Sequence, residues 1–411
     1  MIHPQRLPHV ACNPRRCRSA VALVLCGILA SGFPLSSLAL SAEYPTGLVG
    51  YTEFRTNLPG GQHASNMTMR AIVSRADGCG KRVVAEELTR QPGAWTQFAG
   101  FSPDGKQAIV GRGWESEENA RWEHEHKTFR FSADGWLYDM FLVDLATGKA
   151  ENVTGVERAS NYNTGLFFFP GNESQLGFQA IIDGQSHPFC MDRDGRNKRD
   201  LTKDSKEFAY GFSGSPDGRR IAYHKSYKIY VADADGSHAR LVETGHPFNF
   251  CPFWSEDGAH LLFLSGEHYN CHPHVVRADG TGLRRLAGRG GYAGVVELLE
   301  VADFHSASSD VPTWDAEGQS VFYTAQTGPN VELHRVSLEG SVEQLTWSPA
   351  GWSYYHPRPS PDGCRLAYGS KRNGVRQLYV MDLCSRCECQ LTDLEYGTAA
   401  MWINWQPAPK H

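Results

Sequence analysis

The chain has 411 residues, of which 41% are hydrophobic and 21% are charged, and this is the composition of a globular protein that can bury a large core. The composition excludes a disordered or fibrous chain. The formal net charge of -5 argues against nucleic acid as a partner, because contacts to many phosphates require an excess of lysine and arginine.

The N-terminus has the pattern of an export signal. Arg15, Arg16 and Arg18 precede the short apolar run 20–30, and small residues follow it. We interpret residues 1–42 as a signal peptide and residues 43–411 as a single domain, and we expect the mature protein in the periplasm or outside the cell. The apolar run is too short for a transmembrane helix, and no later segment is apolar enough to form one.

A repeated motif runs through the rest of the chain. Each copy begins with Ser-Pro-Asp-Gly or a related quartet, whose proline, aspartate and glycine favour a tight turn. Apolar runs with period-2 patterning follow each turn and predict β-strands. The quartets begin at Ser102, Ser215, Ser255, Asp315 and Ser360, and a degenerate copy starts at Phe168.

Four strands in each repeat of about 40–45 residues are typical of β-propeller blades. Six blades are predicted near residues 98–155, 164–204, 207–245, 249–288, 310–346 and 354–393. The segments 48–87 and 401–407 remain, and the terminal one matches the strand that elsewhere precedes the turn. The sequence therefore predicts an all-β, seven-bladed β-propeller closed by pairing of its N- and C-terminal strands.

The repeat resembles the blades of TolB-type propellers, whose pattern is Pro-x-Trp-Ser-Pro-Asp-Gly followed by a Tyr-x-x-Asp strand. The matching residues are 252–258, 312–314 and 379–382. This resemblance covers most of the predicted domain and implies the propeller fold. It implies no single function, because propellers serve in binding, scaffolding and catalysis.

Two insertions, at residues 113–139 and 288–310, interrupt the repeat, and such loops often carry function. In a TolB-like blade, the segment entering the innermost strand and the loop between the second and third strands face the same mouth of the channel. Most of the 17 histidines map to that mouth. The candidates there are His63, His124, His126, His187, His224, His246, His268, His272, His305 and His356, with Arg55, Arg358, Lys371 and Arg372.

Parts of the chain also resemble the oligogalacturonate lyases, seven-bladed propellers that cleave oligogalacturonides by β-elimination with a divalent metal and a histidine base. The similar stretches are 245–247 and 356–360. In the family motif Gln-x-x-His-Pro-His-Pro-Ser, the glutamine and both histidines bind metal. His356 matches the first histidine, whereas Arg358 replaces the second and Ser353 replaces the glutamine.

This second resemblance implies roles for several residues at the mouth. Elimination beside a uronate requires a neutralised carboxylate and removal of the α-proton. The candidate catalytic residues are His246, Tyr355 and Arg358. The candidate substrate-binding residues are Arg55, Trp114, His187, His268, Tyr354, Lys371 and Arg372. The candidate ligands of a divalent metal (Mn, Zn or Ca) are His272, His305 and His356. The structural alternative is that Arg358 pairs with a neighbouring acid and that the aromatic rings pack between blades.

A cluster of cysteines lies near the C-terminus, at Cys384, Cys387 and Cys389. An exported protein can form disulfides. No fourth zinc ligand is evident nearby. The pattern therefore favours a local disulfide or free thiols over a metal site.

Two functional hypotheses follow. The first is a monomeric binding module, without a cofactor, that holds an oligosaccharide or an envelope protein at the histidine-rich mouth. The alternative is a metal-dependent polysaccharide lyase of the oligogalacturonate type. Bound metal and a new double bond in a uronate substrate distinguish the second from the first.

Overall fold

The computed structural model describes residues 47–55, 68–91, 93–126, 135–159, 165–202, 205–267, 270–292 and 310–408. The predicted signal peptide lies outside these residues, as do the candidates His63, His268 and His305. The described part of the chain contains 28 β-strands and two short helices, so the fold is all-β as predicted. Within that part, no helix combines the length and the apolar character needed to cross a membrane.

The repeated quartets form tight turns between strands. The hydroxyl of Ser102 donates to Asp104 Oδ1 (2.6 Å) and accepts a hydrogen bond from the backbone N–H of Gln107 (2.9 Å). Ser215, Ser255 and Ser360 make the same pair of bonds. Gly105 ends its quartet with φ of 68°, a left-handed conformation that favours glycine. Local chemistry therefore explains why the quartet recurs.

The strands follow one another in sets of four antiparallel strands. The first described strands are β1 (Leu48–Arg55), β2 (Thr68–Arg75) and β3 (Arg82–Val83). Four separate four-stranded sheets follow. The first contains β4 (Trp95–Phe101), β5 (Gln107–Glu115), β6 (Trp136–Asp144) and β7 (Ala150–Asn152). The second contains β8 (Leu166–Phe169), β9 (Asn172–Ile182), β10 (Gln185–Asp192) and β11 (Arg199–Asp200). The third contains β12 (Ala209–Gly214), β13 (Arg220–Lys225), β14 (Lys228–Asp233) and β15 (Arg240–Leu241). The fourth contains β16 (Asn249–Trp254), β17 (His260–Ser265), β18 (His272–Arg277) and β19 (Arg284–Arg285).

The remaining strands and the first three form one sheet of 12 strands. The next set is β20 (Thr313–Trp314), β21 (Ser320–Thr327), β22 (Asn330–Ser337) and β23 (Val342–Gln344). The last strands are β24 (Ser353–Pro359), β25 (Arg365–Arg372), β26 (Val375–Asp382), β27 (Glu388–Gln390) and β28 (Thr398–Trp405). Two short parallel contacts join the sets, one between β22 and β24 and one between β26 and β28.

The first and last strands of the described chain pair with each other. β28 runs antiparallel to β1, from Trp405 opposite Val49 to Thr398 opposite Arg55. The side-chain oxygen of Gln406, just after β28, accepts a hydrogen bond from the Leu48 N–H (3.0 Å). β28 therefore occupies, beside β1, the position that the first strand occupies in each of the other sets.

Apolar packing fills the space between neighbouring sets. The first strands lie side by side, with β12 against β16, β20 against β24, β24 against β28 and β28 against β4. Leu262 and Val275 of one sheet pack against Trp314, Val321 and Tyr323 of the next set. Burial of one side chain of this size contributes about 1.5–3 kcal/mol. This packing is how propeller blades stabilise one another.

The two helices are short. A 3-10 helix spans Glu86–Thr89, and the α-helix α1 (Glu117–His126) lies in the predicted insertion 113–139. Glu117 and Glu118 occupy the first turn of α1, and His124 and His126 occupy its last turn, an order that complements the helix dipole. The rings of Trp122 and His126 stack 4.1 Å apart, one turn from each other.

No disulfide joins the cysteines within the described residues. Cys190, Cys251 and Cys271 are buried. Cys384 and Cys387 are exposed thiols, which was one of the two arrangements expected for the C-terminal cluster.

Candidate functional site

The candidate site is built on β24, the first strand of its set, which carries Tyr355, His356 and Arg358. A β-bulge interrupts the pairing of β24 with β25 between Tyr355 and Arg358. His356 at this bulge has φ of 50°, a left-handed conformation uncommon for a residue with a side chain. Prolines at 357 and 359 have no N–H to donate, which favours an irregular strand here. The bulge changes the direction of the side chains that follow it.

A buried carboxylate, Asp310, holds the bulge in place. Its Oδ1 accepts the backbone N–H of His356 at 2.9 Å. Its Oδ2 accepts hydrogen bonds from the hydroxyls of Tyr292 (2.9 Å) and Thr324 (2.5 Å). Asp310 is only 3% exposed, so these bonds satisfy a charge that is removed from water. It ties β24 to β21 and to the segment that follows β19.

Arg289 is the buried cation of this cluster. It is 1% exposed, and its Nη2 lies 3.7 Å from Asp310 Oδ2. Its Nε donates to the carbonyl of Thr324, and its Nη2 donates to the Thr324 hydroxyl, both at 2.8 Å. Its guanidinium lies 4.2 Å above the ring of Tyr292. The ion pair and the stacking offset the cost of burying both charges.

The same segment positions His272, a candidate metal ligand at the start of β18. The backbone N–H of Arg289 donates to His272 Nδ1 at 3.3 Å. Burial lowers the pKa of His272 to about 4, and the charges of Arg285 and Arg289 act in the same direction. His272 is therefore neutral at pH 7, with Nδ1 accepting a hydrogen bond.

His356 presents a neutral imidazole in a half-buried position. Burial lowers its pKa to about 4; the carboxylate of Asp310 opposes this change, and Arg358 and Arg376 add to it. Its Nδ1 is buried and has no hydrogen-bond partner among the described residues. Its ring lies 6.1 Å from the ring of Trp402 in a stacked arrangement. A buried polar atom without a partner is uncommon in proteins.

Arg358 is the accessible cation of the site. Its side chain is exposed, and its Nη1 lies 3.5 Å from Thr313 Oγ1, at the limit of a hydrogen bond. Removal from water lowers the pKa of its guanidinium, and Asp310 acts in the opposite direction. No carboxylate within the described part of the chain forms an ion pair with it.

Of the other catalytic candidates, Tyr355 is fully buried and His246 lies in a local turn. The hydroxyl of Tyr355 donates to the carbonyl of Ala400 (2.9 Å), and burial raises the pKa of its phenol. The Nδ1 of His246 lies 3.1 Å from both the carbonyl and the amide of Phe248. Among the described residues, no contact places either Tyr355 or His246 beside the side chain of Arg358.

Two substrate-binding candidates pack inside the last set. Arg372 makes two hydrogen bonds to Glu388 (2.5 and 2.6 Å) and lies over the rings of Trp352 (4.4 Å) and Tyr379 (3.7 Å). Tyr354 is buried in the same cluster. The arginine thus has a carboxylate partner within the protein.

The remaining substrate-binding candidates lie on other sheets or at strand ends. His187 is buried, and its Nδ1 lies 2.7 Å from Thr202 Oγ1. Trp114 is 9% exposed and lies beneath Arg112 (4.4 Å). Arg55 is exposed at the end of β1, and Lys371 stands opposite Ser353 in β25.

The structure therefore joins His356 and His272 through Asp310 and Arg289, and Arg358 follows His356 on β24. Asp310, Arg289, Thr324 and Trp402 were not among the candidate residues. The available signal was the insertion 288–310, which contains both Arg289 and Asp310 at its ends. No group of three or more His, Cys, Asp or Glu side chains among the described residues is arranged to hold a metal ion.

No protein-family model matches the chain. The chain is 25% identical over 186 residues to the uncharacterized protein Atu1656 of Agrobacterium fabrum, a match that covers 44% of this chain and 61% of that protein. The chain thus spans less than two thirds of this relative's length.

Solved structures resemble the chain over most of its length. An oligogalacturonate lyase in complex with manganese has 14% identity and a TM-score of 0.54, with 86% of this chain and 89% of that one covered. The β-propeller domain of the Trilobed protease from Pyrococcus furiosus has 13% identity and a TM-score of 0.51, with 84% and 92% covered. TolB from Acinetobacter baumannii has 14% identity and a TM-score of 0.49, with 88% and 67% covered. The chain has the β-propeller fold, and both families named from its sequence are among the similar structures. At these identities the likeness shows the fold alone.

Proposed function

We propose that this protein is an exported β-propeller that binds an acidic carbohydrate at the surface around His356, Arg358 and Trp402. Residues 1–42 serve as its signal peptide, and residues 43–411 form one domain that acts as a monomer in the periplasm or outside the cell. In this proposal the protein is a binding module. The competing possibility is that its partner is an envelope protein.

The proposed domain has seven blades and is closed by its terminal strands. Four separate four-stranded sheets and three antiparallel sets within the twelve-stranded sheet support the count. The antiparallel pairing of β1 with β28 supports the closure. A ring of such blades, which leaves only short sheet edges, is the usual arrangement of a propeller.

The accessible guanidinium of Arg358 is the observation that carries the proposed function. Its planar fork matches a carboxylate with two parallel hydrogen bonds. The half-buried ring of Trp402 offers an apolar face to a pyranose. A uronate residue presents both complementary features, a carboxylate and an apolar ring face, in one sugar.

The alternative function is a metal-dependent lyase of the oligogalacturonate type. A divalent metal at this mouth would need a ring nitrogen of His356. However, Nδ1 of His272 already accepts the N–H of Arg289, and the positive charges of Arg289 and Arg358 oppose a dication nearby. The described residues therefore fit a metal poorly, and we derive no catalytic step through one.

Isothermal titration with an oligogalacturonide and a neutral oligosaccharide of equal length tests the binding proposal. We expect the acidic ligand to bind more tightly. Arg358→Gln should weaken its binding about 10- to 100-fold, because a hydrogen bond to a charged group contributes roughly 1.5–3 kcal/mol. Arg196→Gln, in an exposed turn after β10, is the matched control and should leave binding unchanged. Equal affinity for the two ligands, or an unaffected Arg358→Gln variant, would refute the proposal.

The lyase alternative has its own measurements. Metal content of the purified protein and the ultraviolet absorbance of a new conjugated double bond are recorded with a polyuronate substrate. Substoichiometric metal and unchanged absorbance, together with tight binding, are expected for a binding module. Stoichiometric metal with a rising absorbance would favour the lyase.

A further inference from the structure

Two exposed thiols, Cys384 and Cys387, lie in the turn between β26 and β27, on residues that the proposed binding site does not use. The turn is compact. The Asp382 N–H donates to the carbonyl of Cys387, and the Arg386 N–H donates to the carbonyl of Asp382, both at 2.9 Å. Asp382 Oδ1 also accepts the N–H groups of Cys384 (3.1 Å) and Ser385 (2.7 Å). The two cysteines are therefore held within one four-residue loop.

The chain contains a second copy of this turn without cysteines, between β6 and β7. There the Asp144 N–H donates to the carbonyl of Lys149 (3.0 Å), and the Gly148 N–H donates to the carbonyl of Asp144 (2.8 Å). Asp144 Oδ1 accepts the N–H groups of Ala146 (3.1 Å) and Thr147 (2.7 Å). Ala146 and Lys149 occupy the positions of Cys384 and Cys387, so the turn forms without either thiol.

A second difference separates the two turns. Gly148 has φ of 75°, and the equivalent Arg386 has φ of 61°, a conformation that is costly for a residue with a side chain. Arg386 donates a hydrogen bond to Glu343 of the neighbouring β22–β23 hairpin. The cysteine turn is thus attached to the next set of strands.

We propose that Cys384 and Cys387 form a thiol–disulfide exchange site that reacts with a low-molecular-weight disulfide. The thiolate of one cysteine attacks a sulfur of that disulfide and expels one thiolate, which leaves a mixed disulfide on the protein. The second cysteine attacks the protein sulfur of the mixed disulfide and expels the other thiolate. The two protein thiols lose two protons and two electrons in total, and the small disulfide is reduced to two thiols. This inference is independent of the proposed carbohydrate site.

Oxidised glutathione is the probe for the test. The full protein is incubated with oxidised or reduced glutathione, alkylated to trap remaining thiols, digested with trypsin and analysed by mass spectrometry without reduction. Trypsin cleaves after Arg386, so a Cys384–Cys387 disulfide links the peptides 377–386 and 387–410. We expect this linked pair only after oxidation, and we expect it to separate on reduction. It should persist in a Cys389→Ser variant, because peptide 387–410 contains Cys389 as well.

The matched control is the double variant Cys384→Ala and Cys387→Lys, which copies the turn at Asp144. It should retain the circular dichroism spectrum and the thermal midpoint of the parent protein and give no linked pair. Full alkylation of both cysteines in oxidised glutathione would overturn the proposal. A disulfide from Cys384 to Cys364 or to Cys389 would overturn it as well.

Discussion

Replacing Asp310 by Asn should destabilise the protein strongly, because it removes a carboxylate that pairs with the buried Arg289. Asp310 and Arg289 are 3% and 1% exposed. Breaking a buried ion pair by removing one partner costs about 3–5 kcal/mol. Asparagine has one acceptor oxygen where aspartate has two, so it cannot accept the hydroxyls of Tyr292 and Thr324 and also the His356 N–H. We therefore expect the upper part of that range.

Urea denaturation followed by fluorescence of the 10 tryptophans measures this loss. A lower midpoint with an unchanged slope is the expected result, because a change in stability alone leaves the slope unchanged. The matched control is Asp194→Asn, which removes the carboxylate of the exposed Asp194–Arg196 pair. That pair is in solvent, so its loss should change the unfolding free energy very little.

A double variant tests the physical reason directly. Adding Arg289→Met to Asp310→Asn removes both buried charges, so part of the lost stability should return, by roughly 0.5–3 kcal/mol. If Asp310→Asn is no less stable than Asp194→Asn, or if the second substitution lowers stability additively, the reasoning about the buried pair is wrong.

Three further predictions concern the same region. Burial lowers the pKa of His356 to about 4 from its usual 6.5. Its neutral ring therefore contributes stability that is complete above about pH 6.5 and is lost as the pH falls towards 4. His356→Asn should flatten that part of the pH profile of the urea midpoint, and an unchanged profile would contradict the low pKa. A methyl group on Gly369 would lie 2.0 Å from the ring of Tyr355. Gly369→Ala should therefore lower the free energy of unfolding in urea by about 1–3 kcal/mol or more. An unchanged unfolding free energy would show that the ring moves freely. Arg372→Ala should lower the free energy of unfolding by about 2–4 kcal/mol, because the partly buried Glu388 loses its arginine partner. The affinity for oligogalacturonide in calorimetry should stay unchanged, and a selective loss of affinity would instead support a substrate-binding role.

The strands and their turns could be predicted from local sequence. The bonds that close the turn at Ser102 join residues no more than five positions apart, so local sequence specifies its geometry. The period-2 apolar runs likewise marked β5, β13, β17 and β25 at the expected places. The mouth was predicted from the register of the repeats, which is also a local property.

The chemistry of individual side chains at the mouth could not be predicted in this way. The sequence analysis assigned Arg358 a catalytic role and Arg372 a substrate-binding role, although the two side chains are chemically identical. Arg372 pairs with Glu388, 16 residues later, whereas Arg358 is exposed and has no carboxylate partner among the described residues. Only the packing of neighbouring strands determines which arginine is already paired.

The sequence by itself determined an all-β propeller, because turn chemistry and strand periodicity act over a few residues and repeat along the chain. Only the tertiary structure decided which of the candidate residues lie together. Asp310 reaches the His356 amide across 46 positions of sequence, and Arg289 joins His272 to the same carboxylate. Burial and charge pairing of this kind depend on contacts between strands that are far apart in the chain, and a local pattern contains no information about them.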